Sequence, residues 1–241
     1  MMGWLNLSRR GRTILIIAFL LALVAAMPLR ILFVLAGAEK FEIAARSIGG
    51  PVWWGVAEDL QAGPVRIGTV DVKLSPLQLL LGRARFDISR KKGLPDDIKG
   101  ALTAGIATQG LDDMTGTLPM GGALAPLPIS AVEMQGVSIA FNGSRCVRAE
   151  GRVRALLSAG MPGLNLSNGL SGELRCDGAD LVIPLVSQSG SERLDLRLSG
   201  KGRYEGAMTV TSSDPVIAGG LGTLGFQAVG GNQLLRISGS L

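Results

Sequence analysis

Val147–Leu156 reads VRAEGRVRAL. Arg148, Glu150, Arg152 and Arg154 occupy every second position, so an extended chain sends all four to one face. Ala149, Gly151, Val153 and Ala155 take the other face. One wet face and one dry face is the pattern of an antiparallel sheet; parallel strands, covered on both sides, read as continuous apolar runs. The stretch therefore predicts a half-buried antiparallel strand over Arg145–Leu156.

The same reading extends in both directions. Downstream, LDLRLSG sets Leu194, Leu196 and Leu198 against Asp195 and Arg197. Further strands are expected at Val132–Phe141, Gly172–Val186, Ser191–Leu198, Arg203–Thr211 and Leu234–Leu241. Upstream, Val65–Leu74 (VRIGTVDVKL) alternates, with a one-residue slip at Gly68-Thr69 that reads as a bulge. Ser75 and Pro76 fit the N-cap and first position of a short helical turn, Pro76–Leu81, which Gly82 ends. Ala84–Ser89 continues as a strand, and weaker ones are expected around Leu102–Thr108 and Asp112–Leu118. Val52–Val56 opens the first strand. Gly93–Asp97 reads as a turn. Pro119–Ser130 reads as a loop and a possible internal boundary, and Asp214–Gly225 as a short helix or a loop. No 10–15-residue amphipathic helix alternates with these strands, which argues against βαβ units. The fold class expected is mostly β, a long twisted antiparallel meander.

The N-terminus differs. Thr13–Leu29 (TILIIAFLLALVAAMPL) carries no charge, and Arg9, Arg10 and Arg12 precede it with no acid upstream. An apolar run of this length suits a membrane-crossing helix, and the arginines hold its leading end in the cytoplasm. A cleaved signal peptide is the rival, with Ala25-Ala26 or Ala36-Gly37-Ala38 near the cut. Apolar character resuming at Ile31–Leu35 favours an uncleaved anchor. The expected organisation is a cytoplasmic tail at 1–12, a transmembrane anchor at 13–35, a linker at 36–49 and a periplasmic β-domain at 50–241. Within the linker, Ala38–Ser47 reads as a short amphipathic helix or an irregular tether. The protein is expected in the inner membrane as a single-pass chain.

Charge follows the same division. The formal net charge is +5, but Arg9, Arg10, Arg12 and Arg30 belong to the N-terminal segment, and every acid lies at Glu39 or later. The remainder holds 20 basic residues against 19 acids. Such a domain lacks the basic footprint that phosphate backbones require, so no nucleic-acid partner is expected. Histidine is absent and aromatics make up 4%. That removes the usual neutral-pH acid–base group and the commonest metal ligand. No nucleophile elbow, P-loop or dinucleotide fingerprint is present. Asp96-Asp97 and Asp112-Asp113 read as solvated acids in turns. No catalytic residue, cofactor, metal or small-molecule substrate is expected.

Cys146 and Cys176 are the only cysteines. Their numerical midpoint falls in the turn-like Gly160-Met161-Pro162-Gly163, so two antiparallel strands would bring them face to face. In an oxidising compartment they would form a disulfide; two buried thiols are the other possibility. Trp53 and Trp54 are candidate interface residues. The plainer reading has one filling the core and the other at its rim.

Several motifs occur in a fixed order: Gly50-Pro51-Val52-Trp53-Trp54-Gly55, then Pro76-Leu77-Gln78-Leu79-Leu80-Leu81-Gly82-Arg83 running into Ala84-Arg85-Phe86-Asp87. Cys146-Val147-Arg148-Ala149-Glu150-Gly151 and Leu170-Ser171-Gly172-Glu173-Leu174-Arg175-Cys176-Asp177-Gly178 follow. In this order, over about residues 10–185, the chain resembles the type II secretion system protein N family. Leu74-Ser75 stands where that family usually carries a tryptophan. The resemblance implies a non-enzymatic accessory component of the machine that moves folded proteins out of the periplasm. Its partners would be other inner-membrane platform or outer-membrane channel proteins. A different class remains open, a β-groove lipid-transport protein of the AsmA-like or lipopolysaccharide-export-like kind. Val137, Ile139 and Phe141 with Leu181, Ile183 and Leu185 would line its groove, or else form a closed core.

Overall fold

A computed structural model describes residues 9–35, 43–90, 97–125, 127, 129–157, 168–212 and 214–240. The N-terminal helices are α1 (Arg9–Ala25) and α2 (Leu29–Leu35). The strands that follow are β1 (Ile43–Ala44), β2 (Ser47–Gly49), β3 (Gly55–Ala62) and β4 (Val65–Leu74). After the short helix α3 (Pro76–Leu80) come β5 (Arg83–Arg90), β6 (Lys99–Gly105), β7 (Thr108–Pro119) and β8 (Ile129–Asn142). Next are β9 (Arg145–Leu157), β10 (Leu170–Glu173), β11 (Arg175–Asp177), β12 (Asp180–Ser187), β13 (Glu192–Leu198) and β14 (Arg203–Val210). Helix α4 (Pro215–Thr223) precedes β15 (Gln227–Val229) and β16 (Asn232–Ser240).

All these strands join one antiparallel sheet. From β3 to β10 each strand pairs with its sequence neighbour; β12, β13 and β14 continue the order, and β16 lies between β14 and β15. The reason is the two-residue period. Along β13, Leu194 is buried while Arg193, Asp195 and Arg197 face outward, and along β9 Val153 and Ala155 are buried while Arg152 and Arg154 are exposed. The sheet curls, so that one apolar cluster gathers residues from Ile98 to Ile237, among them Val137, Leu181, Leu185, Leu194 and Met208. Leu221 of α4, Phe226 and Leu127 close it. Asp214 caps α4, its carboxylate accepting from the Val216 N–H at 2.8 Å. A second, smaller cluster lies under β3 and β4: Leu29, Val52, Ala57, Leu60, Val70, Val72 and Leu74.

Four expectations are corrected. The single helix expected over 13–35 is two helices. Pro28 has no N–H to donate and pushes Met27 away from helical geometry. The freed groups bond elsewhere: Val52 N donates to Met27 O at 2.8 Å, Leu29 N donates to Gly50 O at 3.0 Å, and Pro28 bridges to Pro51. No helix among the described residues is long and apolar enough to cross a membrane. Second, Ile43–Ala44 and Ser47–Gly49 are edge strands rather than helix or tether, because both run antiparallel to β3. Third, Val52–Trp54 forms a turn, so the first full strand begins at Gly55. Fourth, Gly172–Val186 is a hairpin with its turn at Gly178-Ala179, where Gly178 takes φ 65°.

The bulge at Gly68 forms. Gly68 pairs with Leu60 and Arg66 with Gln61, leaving Ile67 over, and β3 compensates with an extra residue at Asp59. Pro119–Ser130 spans the turn of the β7–β8 hairpin, with Met120 N donating to Ser130 O at 2.9 Å. The two clusters meet at Ile67, which packs against both.

A candidate interface at the helix-bearing end of the sheet

The turn Pro51–Trp54 is where helices and sheet are joined. Val52 is 1% exposed and bonds in two directions: its N–H reaches Met27, and its carbonyl accepts from Leu74 N at 3.1 Å. Leu29 is fully buried beside Gly55. A Cβ on Gly55 would lie 2.5 Å from Leu29 Cδ2 and 2.9 Å from Gly49 O, so glycine is what lets α2 sit this close. The Trp53 indole donates Nε1–H to the Ala25 carbonyl at 3.1 Å, satisfying one of the open carbonyls at the end of α1. Its ring packs on the smaller core.

Trp54 behaves differently. It is 66% exposed. The adjacent tryptophans thus divide the two roles considered for them: Trp53 fastens the helix and fills the core, and Trp54 faces outward. Around Trp54 on the same sheet end lie other bare apolar side chains, including Leu80 and Leu81 of the α3 turn at 84% and 74% exposure. Helix α1 itself exposes Ile14, Leu15, Ile16, Ile17 and Phe19.

Cys146 and Cys176 form a disulfide with a Cα–Cα distance of 5.5 Å. The turn expected at Gly160-Met161-Pro162-Gly163 lies outside the described residues. The neighbouring register is offset from the simple midpoint: Ala155 pairs with Leu170 and Arg152 with Glu173. The ladder between β9 and β10 then stops at Leu174, and β11 bonds only to β12. The disulfide ties β11 to β9 in the gap between two backbone bonds, Leu174 N to Gly151 O at 3.2 Å and Cys146 N to Ala179 O at 2.8 Å.

Asp112 and Asp113 are not turn residues. They sit inside β7 at a bulge where Asp113 takes φ 51° and its N–H donates to Ser138 Oγ at 3.0 Å. Asp112 binds Arg85 of β5 and Arg148 of β9. These two arginines lie in one cross-strand row with Thr103, Gly110 and Ala140 between them. The three small residues clear the space over which both guanidinium groups reach Asp112. Partial burial pulls the Arg85 pKa down, but hydrogen bonds and attraction from Asp87 and Asp112 outweigh it and hold it above its ordinary value. The hydrogen bond to Glu150 leads the same upward shift at Arg148. Arg197, bonded to Asp177 at 2.9 Å, is also raised. These are cross-strand ties on the wet face. Asp96 lies outside the described residues, and Asp97 is buried.

The apolar rows considered for a lipid groove are a closed core. Val137, Leu181 and Leu185 are buried, and Ile139, Phe141 and Ile183 pack against them. A surface depression of about 650 Å³ is lined instead by residues of β11, β12, β13, β14 and β16, including Arg175, Asp195, Arg197, Glu205 and Arg236. Among the described residues no cluster of three or more His, Cys, Asp or Glu could hold a metal ion.

Neither the curated proteins nor the solved structures contain a match to this chain. The family profile described as "Type II secretion system (T2SS), protein N" matches residues 42–235, from just before β1 into β16. That span exceeds half of the 241 residues, and the chain belongs to the type II secretion system protein N family.

Proposed function

We propose that this protein is a non-enzymatic accessory component of the type II secretion apparatus, held in the inner membrane by α1, with its sheet in the periplasm. The observation that carries the proposal is the joint between helix and sheet. An α1 with bare apolar side chains is fixed to a domain of the secretion family by Val52, Leu29 and Trp53. Helix α1 offers the bilayer its uncharged part, Thr13–Ala25. Arg9, Arg10 and Arg12 keep its leading end in the cytoplasm. The β-domain then works by contact with platform or channel proteins, and Trp54, exposed beside the joint, is its first contact residue.

Deleting the gene from a secreting bacterium tests this. Release of folded exoproteins falls, or another platform protein loses stability, while outer-membrane lipid composition stays the same. Trp54→Ala reproduces the defect with the protein still accumulating to its normal level. Alkaline phosphatase fused after Ser47 is active. A normal exoprotein profile, or an inactive fusion, overturns the proposal.

A further inference from the structure

Helix α3 leaves its apolar side chains bare. Leu77, Leu80 and Leu81 are 67%, 84% and 74% exposed, and α3 has no buried residue. Ile106, in the β6–β7 turn, is 98% exposed and stands 4.0 Å from the Cβ position of Gly82. The four residues therefore make one apolar lip across two neighbouring turns. Water-soluble surfaces rarely tolerate such a patch without a use for it.

The lip's position indicates its occupant. Leu74 N donates to Val52 O, and Val52 N donates to Met27 O. From the α1–α2 junction to the start of α3 is thus two strand spacings, about 10 Å. The attached end of α1, the exposed Trp54 and the leucine lip all lie at this end of the sheet. The turns there also carry exposed cations: Arg30, Arg83, Arg145, Lys201 and Arg203. None forms an ion pair with a described residue, whereas the described acids of these turns, Asp177 and Asp180, are held by Arg197. An apolar lip on a sheet end that also carries these arginines and lysine matches the chemistry of a bilayer surface with acidic headgroups.

We propose that the Leu77–Leu81 turn and Ile106 form a second membrane contact, laying this end of the sheet on an acidic phospholipid surface. This rests on the reading of α1 as membrane-embedded. It adds that the sheet lies against the bilayer in a fixed orientation rather than swinging on a tether. Leu80 and Leu81 enter the headgroup region, and Arg83 and Arg145 pair with phosphates.

The full chain with one added cysteine, labelled with bimane, tests this in liposomes of phosphatidylethanolamine and phosphatidylglycerol carrying a shallow doxyl lipid. The variants are Leu80→Cys, Ile106→Cys, Ile14→Cys on α1, and Gln61→Cys at the far end of β3. An interfacial apolar face sits about 5–10 Å into the headgroup boundary, so about half the emission is lost at Leu80 and Ile106 and almost none at Gln61. Replacing phosphatidylglycerol by phosphatidylcholine weakens quenching at Leu80 and Ile106 but leaves Ile14 unchanged. Quenching at Ile14 without quenching at Leu80 or Ile106 overturns the second contact and spares the anchor, leaving the lip for a protein. Quenching at Leu80 and Ile106 without Ile14 keeps the contact and overturns the anchor. No quenching at any of the three overturns both. Equal quenching without phosphatidylglycerol overturns the acidic-headgroup pairing.

Discussion

The two cores of the sheet are built on different terms. The larger one, under β7 to β16, draws most of its buried side chains from strands that follow one another in sequence, and it is closed by α4 and a disulfide. The smaller one, under β3 and β4, is incomplete without residues from outside the meander. Leu29 comes from the helical arm and Val52 from the turn that holds it. A sheet alternating apolar and polar residues can close its own core only where it curls far enough. Where it does not, another element must supply the missing side chain, and that element becomes mechanically fixed to the sheet.

Removing the supplied side chain is the hardest blow to this contrast. Leu29→Ala is expected to cost about 2–5 kcal/mol, the range for emptying a fully buried leucine site. Hydrogen exchange should speed up in β2 to β4 while β12 to β14 stay protected. Simultaneous loss of protection in both regions would mean that the two cores unfold as one.

Opening the disulfide acts on the other side. Cys146→Ser with Cys176→Ser should lower stability by about 2–4 kcal/mol, read as a drop in the urea midpoint. The exchange pattern should reverse, with β9 to β12 affected and the arm unchanged. Two freely alkylatable thiols in the oxidised wild-type protein would contradict the bridge.

A smaller effect separates the tryptophans. Trp53→Phe keeps the ring in the core but removes the N–H to Ala25, a loss of about 1 kcal/mol, confined to the arm. Trp54→Ala should change stability by less than about 0.5 kcal/mol, as expected for an exposed site. Equal thermal shifts for the two variants would erase the distinction between strut and contact.

The smallest effect is on the wet face. Arg148→Ala should cost about 0.5 kcal/mol or less, the usual worth of an exposed pair. Its sign with pH is fixed. The guanidinium pKa is raised in the folded state, so its contribution is complete below the ordinary arginine value and is lost only in strong alkali. The difference between variant and wild type should be equal at about pH 6 and about pH 9. A difference that changes between them would assign the effect to another group.

Much of this was legible in the sequence because it is local. The arginine face of β9, the Pro76 start and Gly82 stop of α3 and the bulge at Gly68 each follow from a few adjacent residues, although Ser75 makes no side-chain capping bond. The disulfide partners also followed, from the hairpin logic, although the three-residue offset set by the break at Leu174 did not. What escaped is long-range or ambiguous in composition. Hydropathy carries a helix straight through Pro28, because the partner that takes up Met27 and Leu29 lies more than twenty residues later. Ile43 to Gly49 looks like a tether until β3 is there to pair with it. Asp112-Asp113 between glycines has the composition of a turn, yet the same residues suit a bulge once Arg85 and Arg148 converge on it. For the candidate interface, the sequence named both tryptophans. Only the fold separates them, and only the fold brings Ile106 beside the leucines of α3.

One feature of the strand order bears on how the chain acquires its shape. Through most of the sheet each new strand pairs with the one just completed, so contacts are short in sequence and a chain delivered from its N-terminus can add strands as they arrive. The exception is at the end. β14 is completed not by β15 but by β16, which inserts between them. Until β16 is delivered, β14 presents an unpaired edge. Assembly therefore proceeds largely by increments, and the insertion of β16 between β14 and β15 is the step at which a nascent chain is most exposed to pairing with a neighbour.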